Sequence, residues 1–171
     1  MMFNQEIVKL INEQINKEFF SAYFYLDIAN YYISENLNGF GNWFNIQAQE
    51  EKDHALLFMK YLQNNNGQVV LTAIEPNQEK FTSFDMPLIK TLEHEQGVTK
   101  SIENIYAVAF ENRDFRTVQF LDWFIKEQGE EEKNTDELLK KYELFAKDGK
   151  GLYLLDTELA SRVYAPPSLV I

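Results

Sequence analysis

The sequence predicts an all-α fold, an antiparallel four-helix bundle with a long crossover between helices 2 and 3 and a short C-terminal fifth helix. Three observations carry that prediction. Apolar residues recur at helical spacing through four long segments. Only 7 Gly and 4 Pro punctuate the 171 residues, which favours a few long elements. One long aperiodic stretch separates the second segment from the third, so the helices fall into two pairs, each joined by a short turn.

The first helix is expected from about Asn4 to Ser34, stopping before ENLNGFG, whose Asn and Gly residues suit a tight turn. The second runs from about Phe40 to Asn65 and ends at NNNGQ. The following VVLTAIEPNQEKF is β-branched, contains a Pro and lacks helical period, so it reads as an extended crossover. About 17 extended residues at roughly 3.3 Å each reach the length of a bundle. The third helix is expected to start near Ser83 as N-cap, with Pro87 in the first turn, and to run to about Asn112. Asp114 caps the fourth, which ends near AKDGKG. A fifth helix over Leu152 to Arg162 precedes a tail containing Pro166 and Pro167. Residues 1–148 thus form the bundle and residues 149–171 the short helix and tail, within one domain.

Composition narrows the function. A hydrophobic fraction of 45%, with 14 Phe and 9 Tyr, describes a chain that buries a core. The absence of Cys excludes disulfides, thiolate zinc sites and cysteine nucleophiles. The net charge of −11 repels nucleic acid and anionic lipid and attracts cations. MMFNQEIVKL has no basic region followed by an apolar run, and the longest apolar run, Ile105 to Phe110, is far too short to span a membrane. A cytoplasmic protein with neither a nucleic-acid nor a membrane partner is expected.

The apolar stripes carry the chemistry. Positions 7 or 11 apart lie within about 20° of one another on a helix, and positions 14 apart within about 40°. The first stripe is Ile7, Ile11, Glu18, Ala22, Tyr25 and Ala29; the second is Phe44, Ala48, Glu51, Ala55, Phe58 and Leu62, with His54 beside Glu51. The third is Leu88, Leu92, Glu95, Thr99, Ile102 and Tyr106. The fourth is Phe120, Phe124, Glu131, Thr135, Leu138 and Tyr142, with Glu127 and Gln128 one turn before Glu131. Each stripe is interrupted by an acid near mid-helix, and mid-helix positions of similar antiparallel helices meet at one level. A single such Glu is most simply a rim residue; four at one level are not. No Lys or Arg shares the level, so a multivalent cation is the expected counter-charge. Oxygen-rich ligation with one imidazole suits iron or manganese better than structural zinc. Di-iron bundles use Glu from two helices and Glu-x-x-His from two others; Glu51-x-x-His54 meets this once, whereas the fourth helix offers Gln128-x-x-Glu131, so the two metals should be unequal.

The motifs NEQINKEFFSAY, AQEEKDH, HEQ and FLDWFIKEQGEEEK, with GKGLYLLDTELA as the fifth helix, resemble a ferritin of the bacterial non-haem kind over essentially the whole chain. The resemblance implies a ferroxidase centre in which Glu18, Glu51 and His54 hold a first iron, and Glu51 bridges to a second held by Glu95 and Glu131 with Gln128 nearby. It implies that Glu50, Glu127, Glu130 and Glu131 form a third iron site on the cavity side; otherwise Glu50, Glu127 and Glu130 are a solvated acidic face. It further implies oxidation of Fe(II) by oxygen or hydrogen peroxide, two or three irons per subunit, and ferric mineral stored in a hollow shell of 24 identical subunits. Haem-binding relatives carry a Met directly after the bridging Glu, where this chain has Lys52, so no haem is expected. Tyr25 and Trp123 match aromatic residues close to the centre, in redox or packing roles. His94, about 100° from Glu95, is expected at the surface. A passive cation-binding bundle and a di-iron oxygenase acting on organic substrates are the competing readings; the stripes offer the latter no block of small residues to shape a pocket.

Overall fold

A computed structural model describes residues 4–171 and shows five helices, with no strand among the described residues. They are α1 (Gln5–Ser34), α2 (Asn38–Asn64), α3 (Met86–Glu111), α4 (Phe115–Phe145) and α5 (Gly149–Leu159). The Asn4 side chain caps α1 by accepting from the Glu6 amide, and Asp114 caps α4 by accepting from Thr117 N, the latter as the sequence suggests. The turns after α1, α2 and α3 each place one residue in the left-handed region: Asn36 (φ 61°), Asn66 (φ 56°) and Arg113 (φ 55°). In each the next amide closes the helix end, Leu37 N on Tyr32 O (2.9 Å), Gly67 N on Leu62 O (2.7 Å) and Asp114 N on Ala109 O (2.9 Å).

Three helix boundaries differ from expectation, the two starts for local reasons. With Ser83 as N-cap, Pro87 would stand where the helix needs its first internal N–H donor, which proline lacks. The helix instead begins at Met86 after Asp85, leaving Pro87 in the first turn, where no donor is required. The fifth helix starts three residues before Leu152, because Asp148 accepts from the Gly151 amide (2.7 Å) and its cap outweighs the poor helix propensity of Gly149 and Gly151. It ends at Leu159, so Arg162 lies in the tail.

The crossover sets the topology. Asn12 and Asn16, one turn apart on α1, act as the missing neighbour for an extended chain. Asn12 accepts from Val70 N (2.6 Å) and donates to Gln68 O (2.8 Å); Asn16 accepts from Thr72 N (2.8 Å) and donates to Val70 O (3.1 Å). The chain then climbs along α1, and Tyr32 near its far end donates to Phe84 O (2.6 Å). Thus α3 starts beside the end of α1 and descends in the same direction as α2, giving an up-down-down-up bundle.

The core has two apolar compartments. One holds Tyr25, Ile28, Tyr32, Phe40, Phe44, Leu88 and Leu138, closed at its end by Leu155 and Leu159 of α5. The other holds Ile7, Ile11, Ile15, Phe58, Leu62, Ile102, Leu121 and Phe124. The stripes on α1 and α2 are buried as expected. On α3 the buried face is turned slightly, through Leu88, Thr91, Glu95, Val98, Ile102 and Ile105, leaving Leu92, Thr99 and Tyr106 half-buried at its margin. The tail returns along α2 and α4. Tyr164 donates to Asp53 Oδ2 (2.5 Å), Trp123 Nε1 donates to Ser168 Oγ (3.0 Å), and Leu169 and Ile171 pack on the second compartment.

The start of α2 has no capping side chain of its own. Asp156 of α5 supplies it, accepting from Gly39 N (2.8 Å) and Phe40 N (3.0 Å), and Gly39 lies so close that an added Cβ would stand 1.7 Å from the Asp156 carbonyl oxygen. Asp156→Ala is expected to lower the stability by about 1 kcal/mol, the usual worth of a helix cap. Gly39→Ala should lower it further by forcing α5 away, and urea unfolding of both variants checks the order.

Candidate metal centre

Between the apolar compartments lies a layer of buried polar side chains. Glu18, Glu51 and Glu95 are each 1% exposed, His54 and Gln128 2%, and Glu131 5%. One ligand atom from each of Glu18, Glu51 and His54 lies within 4.8 Å of the other two. His54 Nδ1 is 3.4 Å from Glu51 Oε2. Among the described residues, Glu18 Oε2 and His54 Nδ1 are buried atoms without a hydrogen-bond partner, which natural cores rarely tolerate.

Neutral donors hold each acid. Gln14 donates to Glu18 Oε1 (2.6 Å), one turn away on α1. Gln47 donates to Glu51 Oε1 (3.3 Å), one turn away on α2, and to Glu131 Oε2 (2.6 Å) on α4. Gln128 donates to Glu95 Oε2 (3.1 Å), and the Tyr25 hydroxyl donates to Glu95 Oε1. No Lys or Arg pairs with these four acids among the described residues. Burial first, and the negative charge of Glu51 second, hold the Glu18 carboxyl well above the usual carboxylate range. Burial and then Glu95 and Glu131 do the same to Glu51. Burial raises Glu95 against the opposing bonds from Tyr25 and Gln128. Burial and then Glu95 push Glu131 up to about 8. Burial and mutual repulsion thus favour the protonated form of each acid, and a multivalent cation would favour the ionised form.

The three outlying acids stand differently. Glu50 pairs with Arg162 Nη2 (2.6 Å) and feels the charge of Glu127. Glu127 is half-buried, with its carboxyl raised by burial. Glu130 is exposed, 3.6 Å from Lys126. Trp123 lies edge-on to the His54 ring at 5.6 Å, while Tyr25 is buried against Phe44 and touches the centre through Glu95.

His94 departs from expectation. It is wedged between α1 and α3 against the rings of Phe20, Phe24 and Tyr25, with Nε2 2.7 Å from Ser21 Oγ, and burial lowers its pKa to about 4. The 100° offset from Glu95 carries it to the seam with α1, whose aromatic residues cover it. Sequence reasoning also missed Gln14 and Gln47. Their signal was present, an amide four residues before the stripe acid on both helices. Arg162 offered none, because its contacts depend on where the tail runs.

Comparisons with known proteins identify the family and the fold. The family model described as "Ferritin-like domain" matches residues 8–145. A bacterial non-heme ferritin of Campylobacter jejuni is 37% identical over 155 residues, covering 91% of this chain and 93% of that protein. One of Staphylococcus epidermidis is 31% identical over 163 residues, covering 95% and 98%. Among solved structures, an open-pore ferritin from the archaeon Archaeoglobus fulgidus superposes with a TM-score of 0.92 at 37% identity, covering 94% of this chain and 99% of that one. An engineered closed form of the same archaeal ferritin gives 0.93 at 36% identity, covering 95% and 99%.

The acids carry a pH signature. Glu131 titrates near 8 in the fold against an ordinary 4.5, so between those values the folded chain keeps a proton that the unfolded chain has released. Its contribution to stability is therefore complete below about 4.5 and lost as the pH rises through about 8. Metal-free protein is expected to unfold at lower urea concentration at pH 8 than at pH 5. Glu131→Gln should flatten that slope and raise the midpoint at pH 8; a variant as pH-sensitive as the parent would show that other groups set the slope.

Proposed function

Because this chain belongs to the ferritin-like family, we propose that it is an iron-storage protein with ferroxidase activity, oxidising Fe(II) at the buried acid layer and passing Fe(III) into a mineral held within a hollow shell of identical subunits. The observation that supports this reading most is the convergence of Glu18, Glu51 and His54 beside Glu95 and Glu131, with no basic side chain paired with them among the described residues.

Each residue has a task that its environment suits. Glu18, Glu51 and His54 bind the first Fe(II); Glu51, Glu95 and Glu131 bind the second, with Gln128 close by. Glu51 is the acid suited to serve both, because it interacts electrostatically with Glu18 as well as with Glu95 and Glu131. Protons leave the carboxyls as the iron enters. Two Fe(II) then give two electrons to one oxygen molecule, which takes up two protons and leaves as hydrogen peroxide, or to one peroxide, which takes up two protons and leaves as two waters. Tyr25, bonded to Glu95, and Trp123, against His54, stand where an electron donor would be useful, although both also pack the core. Glu50, Glu127 and Glu130 form the third iron position on the way out, giving two or three irons per subunit and no haem.

Large apolar side chains remain uncovered on the single chain, including Phe110 (59% exposed), Phe115 (61%), Leu144 (72%), Tyr153 (69%) and Val163 (83%). Surface of that kind marks association sites, and a 24-subunit homo-oligomer of about half a megadalton would cover it. No described helix is long and apolar enough to cross a membrane, which accords with a cytoplasmic shell.

Two measurements test the reading. Purified protein should elute as a particle near half a megadalton and consume oxygen when Fe(II) is added, forming more than two Fe(III) per chain; a passive cation binder would saturate. His54→Ala should assemble normally yet slow the initial oxidation by more than about tenfold, since even losses in the outer coordination sphere reach that size.

The second concerns the outlying acids. Glu50→Ala combined with Glu130→Ala should leave binding of the first two irons nearly intact, while changing the oxygen consumed per iron and slowing later additions. Loss of the first two irons would place these acids in the dinuclear centre, and wild-type behaviour throughout would make them a solvated face.

A further inference from the structure

Arg162 reaches towards the acid layer from outside it. It stands in the tail just beyond α5, with its side chain only 23% exposed, and is fixed from several directions. Asn42 Nδ2 donates to its carbonyl (3.1 Å), its guanidinium lies 4.5 Å over the Trp43 ring, and Nη1 donates to Trp43 O (3.1 Å). From that position Nη1 also donates to Gln47 Oε1 (3.0 Å), and Nη2 donates to Glu50 Oε2 (2.6 Å).

The bond to Gln47 has a consequence at the centre. A primary amide has one accepting end and one donating end. The donating end of Gln47 is shared between Glu51 Oε1 on α2 and Glu131 Oε2 on α4, both ligands in the ferroxidase reading. A protonated carboxyl can accept from the NH2 of Gln47 or donate to its oxygen, so the acids alone leave two amide orientations open. Guanidinium only donates, and therefore permits one. We propose that Arg162 is a positioning residue for the dinuclear centre: by holding the Gln47 oxygen it turns the NH2 onto Glu51 and Glu131, fixing one oxygen of each and leaving the other for metal. The inference rests on the ferroxidase reading. It also gives the tail a task, since the donor that meets the Gln47 oxygen belongs to a residue beyond the last helix.

Co(II), which binds such sites without being oxidised by air under these conditions, separates this role from general stability. The experiment titrates Co(II) anaerobically into the full-length assembly, following visible absorption, for the parent, Arg162→Ala, Arg162→Lys, Gln47→Ala and the double variant Gln47→Ala with Arg162→Ala. The parent should bind two Co(II) per chain tightly. Arg162→Ala should weaken the second Co(II) by roughly tenfold and alter its absorption, with particle mass and helicity unchanged. Arg162→Lys should recover part of the loss, because a point ammonium cannot hold Gln47 and Glu50 together as a fork does. Within the Gln47→Ala background, Arg162→Ala should add nothing. Unchanged Co(II) binding in Arg162→Ala, or an undiminished loss on top of Gln47→Ala, would overturn the proposal. If Arg162→Ala does not assemble, the partial loss expected of Arg162→Lys decides: its absence overturns the proposal equally. A parent that binds no Co(II) would instead sink the ferroxidase reading itself.

Discussion

Four carboxylates are buried at one level in this bundle and, among the described residues, no basic side chain pairs with them; the rest of the structure is arranged around that fact. An acid in such a position needs its orientation fixed, but a Lys or Arg in direct contact would fix it by consuming its charge. The chain uses neutral donors instead. Gln14, Gln128 and Tyr25 each hold one oxygen and Gln47 holds two, and none brings a positive charge, so the negative charge of the ionised acids is left for an incoming cation. The apolar compartments on either side keep water away and make that charge costly while no cation is there. Arg162 stands a layer further out and, in the proposal above, acts through Gln47.

Much of this was legible in the sequence because burial and helical period make a core acid conspicuous. Glu18, Glu51, Glu95 and Glu131 each break an apolar stripe, and all four are buried together; His54 follows Glu51 by one turn and joins them. Helix ends were legible where a side chain caps its own helix, as at Asn4 and Asp114. They were misplaced where two local rules competed. The missing N–H of Pro87 overrode Ser83 as a cap, and the Asp148 cap overrode the two glycines that follow it. What could not be read was anything that depends on distant segments meeting. The tail's path decides the fate of Arg162, the contact between α1 and α3 decides that of His94, and the crossover's closeness to α1 decides those of Asn12 and Asn16.

The outlying acids show where pattern and geometry part. Angular reasoning puts Glu50 and Glu130 on the same side of their neighbours, yet the fold gives them different surroundings: Glu50 is drawn into an ion pair with the tail, while Glu130 faces solvent beside Lys126. Iron moving past Glu50 would compete with a guanidinium that is also stacked on an indole, whereas iron reaching Glu130 would meet a flexible surface lysine.

The division of the core in two has a consequence for how the helices find one another. The two compartments are built from Ile, Leu, Phe and Tyr side chains of overlapping shape. Packed alone, such surfaces tolerate a helix sliding by a turn or rolling to a neighbouring groove, because each displaced side chain finds another apolar partner. The acid layer removes that freedom. A slip of one turn in any helix would carry its Glu some 5 Å along the axis into a compartment of pure hydrocarbon and strand the amide that served it. The polar belt is thus a vernier: it adds little to cohesion, but only one phase of each helix brings all four marks into line.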